Sequence, residues 1–212
     1  MNIRAKLRQL FFPERPLHER IDTFWVQKVA KHSVQDRFLF FENACRNKKV
    51  IHFGCNDYPI FNPSYNLHIH LSKHTEVLHG FDIDLEGIEE LRKYVDQEYF
   101  SQFSELEGRT YDICLVPETI EHVDNVRSFL EGIASVDATT FYITAPNCFA
   151  QKHMKRNHET TDQFIEIVHP DHNYWFSPYT LKNVIQKYTN LEVTEVILLE
   201  NDTMVCCKAI KK

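Results

Sequence analysis

The segment Glu118-Thr119-Ile120-Glu121-His122 puts two carboxylates and an imidazole within five residues, just after an apolar run and a proline. Glu118 and His122 are four apart, so a helical turn would bring them to one face. There His122 could take a proton from a hydroxyl, with Glu118 or Glu121 orienting its ring; the same charges could instead stabilise a turn. A second group follows in the stretch 147–176, with His153, His158, His169 and His172 beside Tyr174 and Trp175. His169-Pro170-Asp171-His172 could supply a base or hold a substrate, or it could form a polar lid with its histidines in hydrogen bonds. His and Asp are good metal ligands, but neither this spacing nor that of His68 and His70 is diagnostic, and no metal is assigned. His122, His169 and His172 are therefore the candidate catalytic residues.

A different chemistry is suggested upstream. Val50-Ile51-His52-Phe53 is a β-rich apolar run that stops at Gly54, and it is followed by Cys55, Asn56, Asp57 and Tyr58. Such a run reads as a buried strand entering a loop. In an open parallel sheet that loop lies at the carboxyl end of the strand, where α/β proteins bind nucleotides. Glycine there lets backbone approach a ligand and can adopt positive φ; a simple turn would use it equally. His52 itself reads as a packed strand residue. A second run, Val77–Phe81, ends in Asp82-Ile83-Asp84. A carboxylate at a strand end can accept hydrogen bonds from both hydroxyls of a ribose, and this is the role assigned to Asp82. Its alternative is a charge at a helix N-terminus, which is how Asp84 is read. Asn56 and Asp57 offer polar contacts or turn chemistry.

These groups need a scaffold, and the rest of the chain describes one. Strands are expected at 49–53, 77–81, 111–116, 139–145, 191–199 and 202–209, with a short, poorly patterned one near 98–103. Helical stripes lie between them: Leu85, Ile88, Leu91 and Val95; Val126, Phe129, Leu130 and Ile133, capped by Asp124 or Asn125; and Leu181, Val184, Ile185 and Tyr188, opened by Ser177-Pro178. A weaker helix is expected near 64–75. Alternating strands and helices predict a doubly wound, mostly parallel sheet with helices on both faces, and the turn Glu200-Asn201-Asp202 closes a C-terminal antiparallel hairpin. Upstream, Ser33 is read as the N-cap of a helix carrying Val34, Phe38, Phe41 and Cys45. An earlier helix carries Ile21, Phe24, Trp25 and Val29. Residues 1–46 are thus N-terminal helices of the same domain, and 47–212 the α/β domain.

The bulk numbers fit that picture. The chain has 212 residues, 43% of them hydrophobic and 25% charged, enough for one full core and no disordered class. A net charge of −6 argues against general nucleic-acid binding. Six cysteines without a C-x-x-C pair are expected to be reduced, which places the protein in the cytoplasm. The basic, aromatic start offers either a peripheral membrane contact through residues 1–12 or a lead-in helix packed on the domain. No spanning apolar run is visible, and oligomeric state is not readable.

Taken in order, these segments resemble class I S-adenosylmethionine-dependent methyltransferases. Val50–Asn56 stands at the glycine-rich first motif, and Gly80–Asp84 at the acidic end of the second strand. Tyr111–Val123 is similar to the segment after the fourth strand in the branch that includes ubiquinone-biosynthesis O-methyltransferases. Thr144–Asn147 and Phe176–Leu181 resemble later landmarks of that branch. The resemblance implies a seven-stranded Rossmann-like sheet and S-adenosylmethionine as cofactor. It implies cofactor contacts at Gly54, Cys55, Asn56, Asp82, Ile83 and Glu118, and an acceptor pocket beneath 147–176. The acceptor class it suggests is a small molecule or a glycan intermediate, methylated on oxygen. The departures from the family pattern at His52, Asn56 and Tyr58 keep a second reading open, a non-catalytic scaffold or partner subunit. An oxidoreductase binding a dinucleotide is disfavoured, because its three-glycine fingerprint is absent.

Overall fold

The computed structural model describes Glu19 and residues 26–212. The expected amphipathic start and most of the helix through Ile21, Phe24 and Trp25 lie outside the described residues; Val29 is in irregular backbone. Lys31–Lys212 form one compact unit. Its ten strands and six helices, in chain order, are β1 (Ser33–Val34), α1 (Arg37–Cys45), β2 (Lys49–Phe53), α2 (Leu67–Leu71), β3 (Val77–Phe81), α3 (Leu85–Arg92), β4 (Tyr99–Phe100), β5 (Thr110–Val116), α4 (Val126–Ser135), β6 (Asp137–Pro146), α5 (Gln151–Met154), β7 (Asn157–Glu159), β8 (Phe164–Glu166), α6 (Pro178–Tyr188), β9 (Leu191–Leu199) and β10 (Met204–Lys211).

Eight strands form the main sheet in the order β1-β9-β10-β6-β5-β2-β3-β4. β10 runs antiparallel to both β6 and β9, while the β2, β3, β4, β5 and β6 pairings are parallel. The expected doubly wound sheet with a terminal hairpin is what forms. The apolar runs of β2, β5 and β6 are buried almost throughout, as strands covered on both faces must be. Cys206 and Cys207, adjacent on β10 and so facing opposite sides of the sheet, are both fully buried for the same reason.

The sheet has one strand more than the resemblance implied. Ser33 and Val34, expected to open a helix, pair in parallel with Leu198 and Leu199 instead. The helix starts three residues later because Asp36 is the cap: its carboxylate accepts from Leu39 N at 3.0 Å. The other helix starts follow the sequence. Asp84 accepts from Glu86 N, Asn125 from Ser128 N, and Ser177 forms a reciprocal capping box with Thr180. The stretch 147–176 contains α5 and the separate two-stranded ribbon of β7 and β8.

β2 is where the winding changes direction: its parallel neighbours are β3 on one side and β5 on the other. A sheet of this kind opens a crevice at the carboxyl ends of those strands. Phe53, Phe81 and Val116 mark that edge.

Candidate active site

A cleft of about 800 Å³ opens there, within the size range of small-molecule sites. All nine residues singled out in the sequence line it: Gly54, Cys55, Asn56, Asp82, Ile83, Glu118, His122, His169 and His172. They sit in three groups.

The first group is the turn after β2. Gly54 has φ +63°, and its N–H donates to Phe81 O at 2.9 Å, tying the exits of β2 and β3 together. The space a Cβ would fill is taken by Thr119 Oγ1, which would lie 2.3 Å from it. Glycine is thus required here both by backbone conformation and by close packing. The Cys55 thiol is buried and pushed well up in pKa by that burial, so this residue can offer the cleft only its main chain. Asn56 turns its side chain onto α3, against Gly87, and its Oδ1 accepts from Tyr58 N at 3.0 Å. Tyr58 is turned to Glu86, with its hydroxyl donating to Oε1 at 3.1 Å, and the cleft beside it stays open.

The second group is the exit of β3. Asp82 Oδ2 accepts from Asn56 N at 3.3 Å and Oδ1 from Asp84 N at 3.1 Å. Burial raises its pKa, and these two N–H groups pull it back. An ionised carboxylate has about four acceptor positions, so acceptor capacity remains on both oxygens. Ile83 is 83% exposed and, with Ile60 and Tyr65, gives the cleft an apolar wall.

The third group is the turn after β5. The expected helical turn from Glu118 to His122 does not form. Glu118 sits at φ +44°, a conformation uncommon outside glycine, with its N–H donating to Thr144 Oγ1 at 3.0 Å. Its carboxylate accepts from Arg37 Nη1, and Arg37 Nε lies 3.2 Å from Glu200 Oε1. Glu118 therefore does not orient His122. Burial raises its pKa against the opposing pull of Arg37.

The three candidate catalytic histidines do come together, although 47 residues of chain separate His122 from His169. The segment 169–174 is fastened onto the turn. Asn173 N donates to Glu121 O at 2.8 Å, Asn173 Nδ2 to His122 O at 3.1 Å, and Tyr174 Oη to Asp124 O at 3.1 Å. Ring centroids lie 4.6 Å apart for His122 and His172, 5.6 Å for His122 and His169, and 5.9 Å for His169 and His172. Burial, reinforced by the neighbouring imidazoles, lowers the pKa of His122 and of His172. Both are therefore held neutral and able to accept a proton.

Three features were not legible in the sequence. Arg37 lines the cleft, but its partner Glu118 lies 81 residues away. His52 is packed on β2 as expected, but its contact with His68, Nδ1 to Nδ1 at 3.2 Å, was not foreseen, and burial takes its pKa down to about 3. Glu121 is 1% exposed beneath the histidines, and burial raises its pKa well above the usual carboxylate range. Two three-residue sets among the described residues bring ligand atoms within 4.8 Å of one another: Glu121, His122 and His172, and Glu42, His70 and His74.

No protein-family model and no curated protein sequence matches the chain. Solved structures match at the level of fold. A SAM-dependent methyltransferase from Aquifex aeolicus superposes with a TM-score of 0.57 at 15% identity, covering 100% of both chains. An S-adenosylmethionine-dependent methyltransferase from Mesorhizobium loti gives 0.55 at 8% identity, covering 81% of this chain and 96% of its own. DhpI, in its complex with SAH, gives 0.50 at 17% identity over 76% of each chain. The chain has the Rossmann-like fold of S-adenosylmethionine-dependent methyltransferases.

Proposed function

We propose that this protein is an S-adenosylmethionine-dependent methyltransferase acting on a hydroxyl of a small-molecule or glycan acceptor in the cytoplasm. The observation that carries this reading is one cleft lined both by Asp82, whose carboxylate keeps acceptor capacity, and by three clustered histidines.

The residues fit the cofactor. Asp82 keeps acceptor capacity for both ribose hydroxyls, Ile83 and Ile60 offer apolar surface to an adenine, and the turn at Gly54 leads toward Glu118, where the methionyl end would pass. When bound, S-adenosylmethionine supplies a methyl group already activated by its sulfonium, and attack by the acceptor oxygen breaks the S–C bond to leave S-adenosylhomocysteine. The protein must align the acceptor, exclude water and remove one proton. The histidine cluster receives that proton: burial keeps His122 and His172 neutral, as a base must be before the step.

The competing reading, a scaffold with a closed cofactor site, rested on Asn56 and Tyr58. Asn56 packs against Gly87 and Tyr58 bonds Glu86, both on α3, and the cleft that they line stays open, which favours the enzyme. Calorimetric titration of the purified chain with S-adenosylhomocysteine tests this. Saturable micromolar binding that is clearly weakened in Asp82→Ala supports it; absence of heat and of thermal shift at millimolar ligand sinks it.

A further inference from the structure

Glu42, His70 and His74 turn their side chains to one point, and none of the three lines the cleft. Glu42 Oε2 lies 2.9 Å from His70 Nε2 and 3.5 Å from His74 Nε2, and ligand atoms of all three residues lie within 4.8 Å of one another. The group sits at the start of β2, the end opposite Gly54, where α1 has just ended: Lys48 N donates to Cys45 O and Asn47 N to His74 O. The three side chains are 15%, 32% and 26% exposed, covered enough to be held in place and open enough to admit an ion.

We propose that Glu42, His70 and His74 bind one zinc ion, or a neighbouring divalent ion of the late first row, as a clamp between α1 and α2. Two imidazoles and one carboxylate make a donor set suited to such an ion, with water in the fourth position. Two ligands about 2.1 Å from a tetrahedral ion lie about 3.4 Å apart, and the two contacts at Glu42 Oε2 bracket that spacing. Each imidazole ligates through Nε2 as the neutral tautomer that carries its proton on Nδ1. The other carboxylate oxygen is already held, since Arg46 donates through Nη2 to Glu42 Oε1; ligating carboxylates are themselves hydrogen-bonded in this way. The His70 ring is set by Phe38, which meets it edge-on with centroids 5.3 Å apart. Phe38 and Glu42 are four apart on α1, so one helix face presents both to the same imidazole. Arg46 alone would complete an ion pair with Glu42. Two imidazoles converging on the second oxygen, both through Nε2, is the arrangement that an ion requires.

The clamp bears on the cleft through the other ends of the two helices. α1 begins at Arg37 and α2 is capped by Asn66, and both of these residues line the cleft. Asn66 Nδ2 donates to Cys55 O at 3.1 Å and to Asp57 Oδ2 at 2.9 Å, in the turn after β2. An ion that locks α1 to α2 at one end therefore steadies the residues that shape the cleft at the other.

The test is titration of the untagged, chelator-stripped full chain with Zn2+ by calorimetry and with Co2+ by visible absorption, beside Glu42→Gln and His74→Ala. Losing even an outer-shell partner costs about 10–100-fold in metal affinity. Each variant should therefore weaken, by at least that much, the binding of one equivalent that the wild type takes up. Zn2+ should also raise the melting temperature of the wild type more than that of either variant. Melting temperatures without metal identify a folding defect. Glu42→Gln keeps the side-chain volume and His74→Ala acts beyond the end of α2, so a defect in one leaves the other to decide. No binding to the wild type, or equal binding to the wild type and both variants, overturns the proposal. The titrations contain no S-adenosyl compound, so their outcome is independent of the methyltransferase reading.

Discussion

Arg37 donates through Nη1 to the carboxylate of Glu118, joining the first turn of α1 to the exit of β5 across 81 residues of chain. The contact is half-buried, with side-chain exposures of 21% and 37%, so solvent screens it only in part. It also holds the one site residue whose backbone is in the left-handed region without being glycine.

Arg37→Met keeps the apolar stem but leaves Glu118 facing Glu200 without its cation. Discounted for exposure, the loss should be about 1 kcal/mol, seen as a lower urea midpoint. Glu118→Gln in the Arg37→Met background should recover part of it. A double variant that is additive within error would show that the pair is not coupled.

Gly54→Ala meets two obstacles at once. The left-handed conformation at φ +63° opposes any Cβ, and that Cβ would lie 2.3 Å from Thr119 Oγ1. Together they should cost about 2–4 kcal/mol in stability. Adding Thr119→Ala removes the overlap but not the backbone cost, so it should restore only part. Full restoration would mean that the conformation of this turn adapts freely, and the requirement for glycine would then be steric alone.

How much of this could be read in advance follows the range of the forces involved. β-rich runs stopped by Gly or Pro, and caps within four residues of what they cap, are local, and β2, β5, β6, Asp84 and Ser177 were legible. Asp82 was legible because the exit of a strand fixes where its next residue points. The strand at Ser33–Val34 was not, since its partner lies some 165 residues on, and the same residues suit a helix cap. β7 and β8 carry little pattern because they are exposed and pair only with each other; Phe164 is 88% exposed. Nor did spacing reveal that Glu121 lies near His172, which depends on Asn173 folding back onto the β5 turn.

The buried pair of His52 and His68 makes the fold acid-sensitive. Both pKa values are lowered, chiefly by burial, that of His52 from 6.5 to about 3. A histidine depressed in the folded state binds its proton in the unfolded chain first. Stability is therefore fully present above pH 6.5 and declines as pH falls from 6.5 toward 3. At pH 5 the contribution lost through His52 is about 2 kcal/mol, from 1.5 pH units at about 1.36 kcal/mol each. His52→Leu gives up a hydrogen bond and should be less stable at pH 8, yet its stability difference between pH 8 and pH 5 should be smaller than that of the wild type. An unchanged difference, measured by urea unfolding at the two values, would assign the acid sensitivity elsewhere.

Asp82→Ala separates ligand binding from folding at the exit of β3. The carboxylate accepts from the backbone N–H groups of Asp84 and Asn56, at 3.1 and 3.3 Å, and among the described residues no side-chain donor to it is seen. Its raised pKa shows that burial costs the charged form more than these contacts return. Replacing it should therefore change the melting temperature little. If the carboxylate receives the ribose diol, the same replacement removes hydrogen bonds to a charged acceptor, worth about 1.5–3 kcal/mol. S-adenosylhomocysteine should then bind roughly 10–150-fold more weakly. Asp82→Asn keeps one acceptor oxygen and should fall between the two. A variant that unfolds while the ligand affinity of its remaining folded fraction is unchanged would make Asp82 a turn residue. A stable variant with affinity reduced in the order wild type, Asn, Ala would make it the ribose ligand.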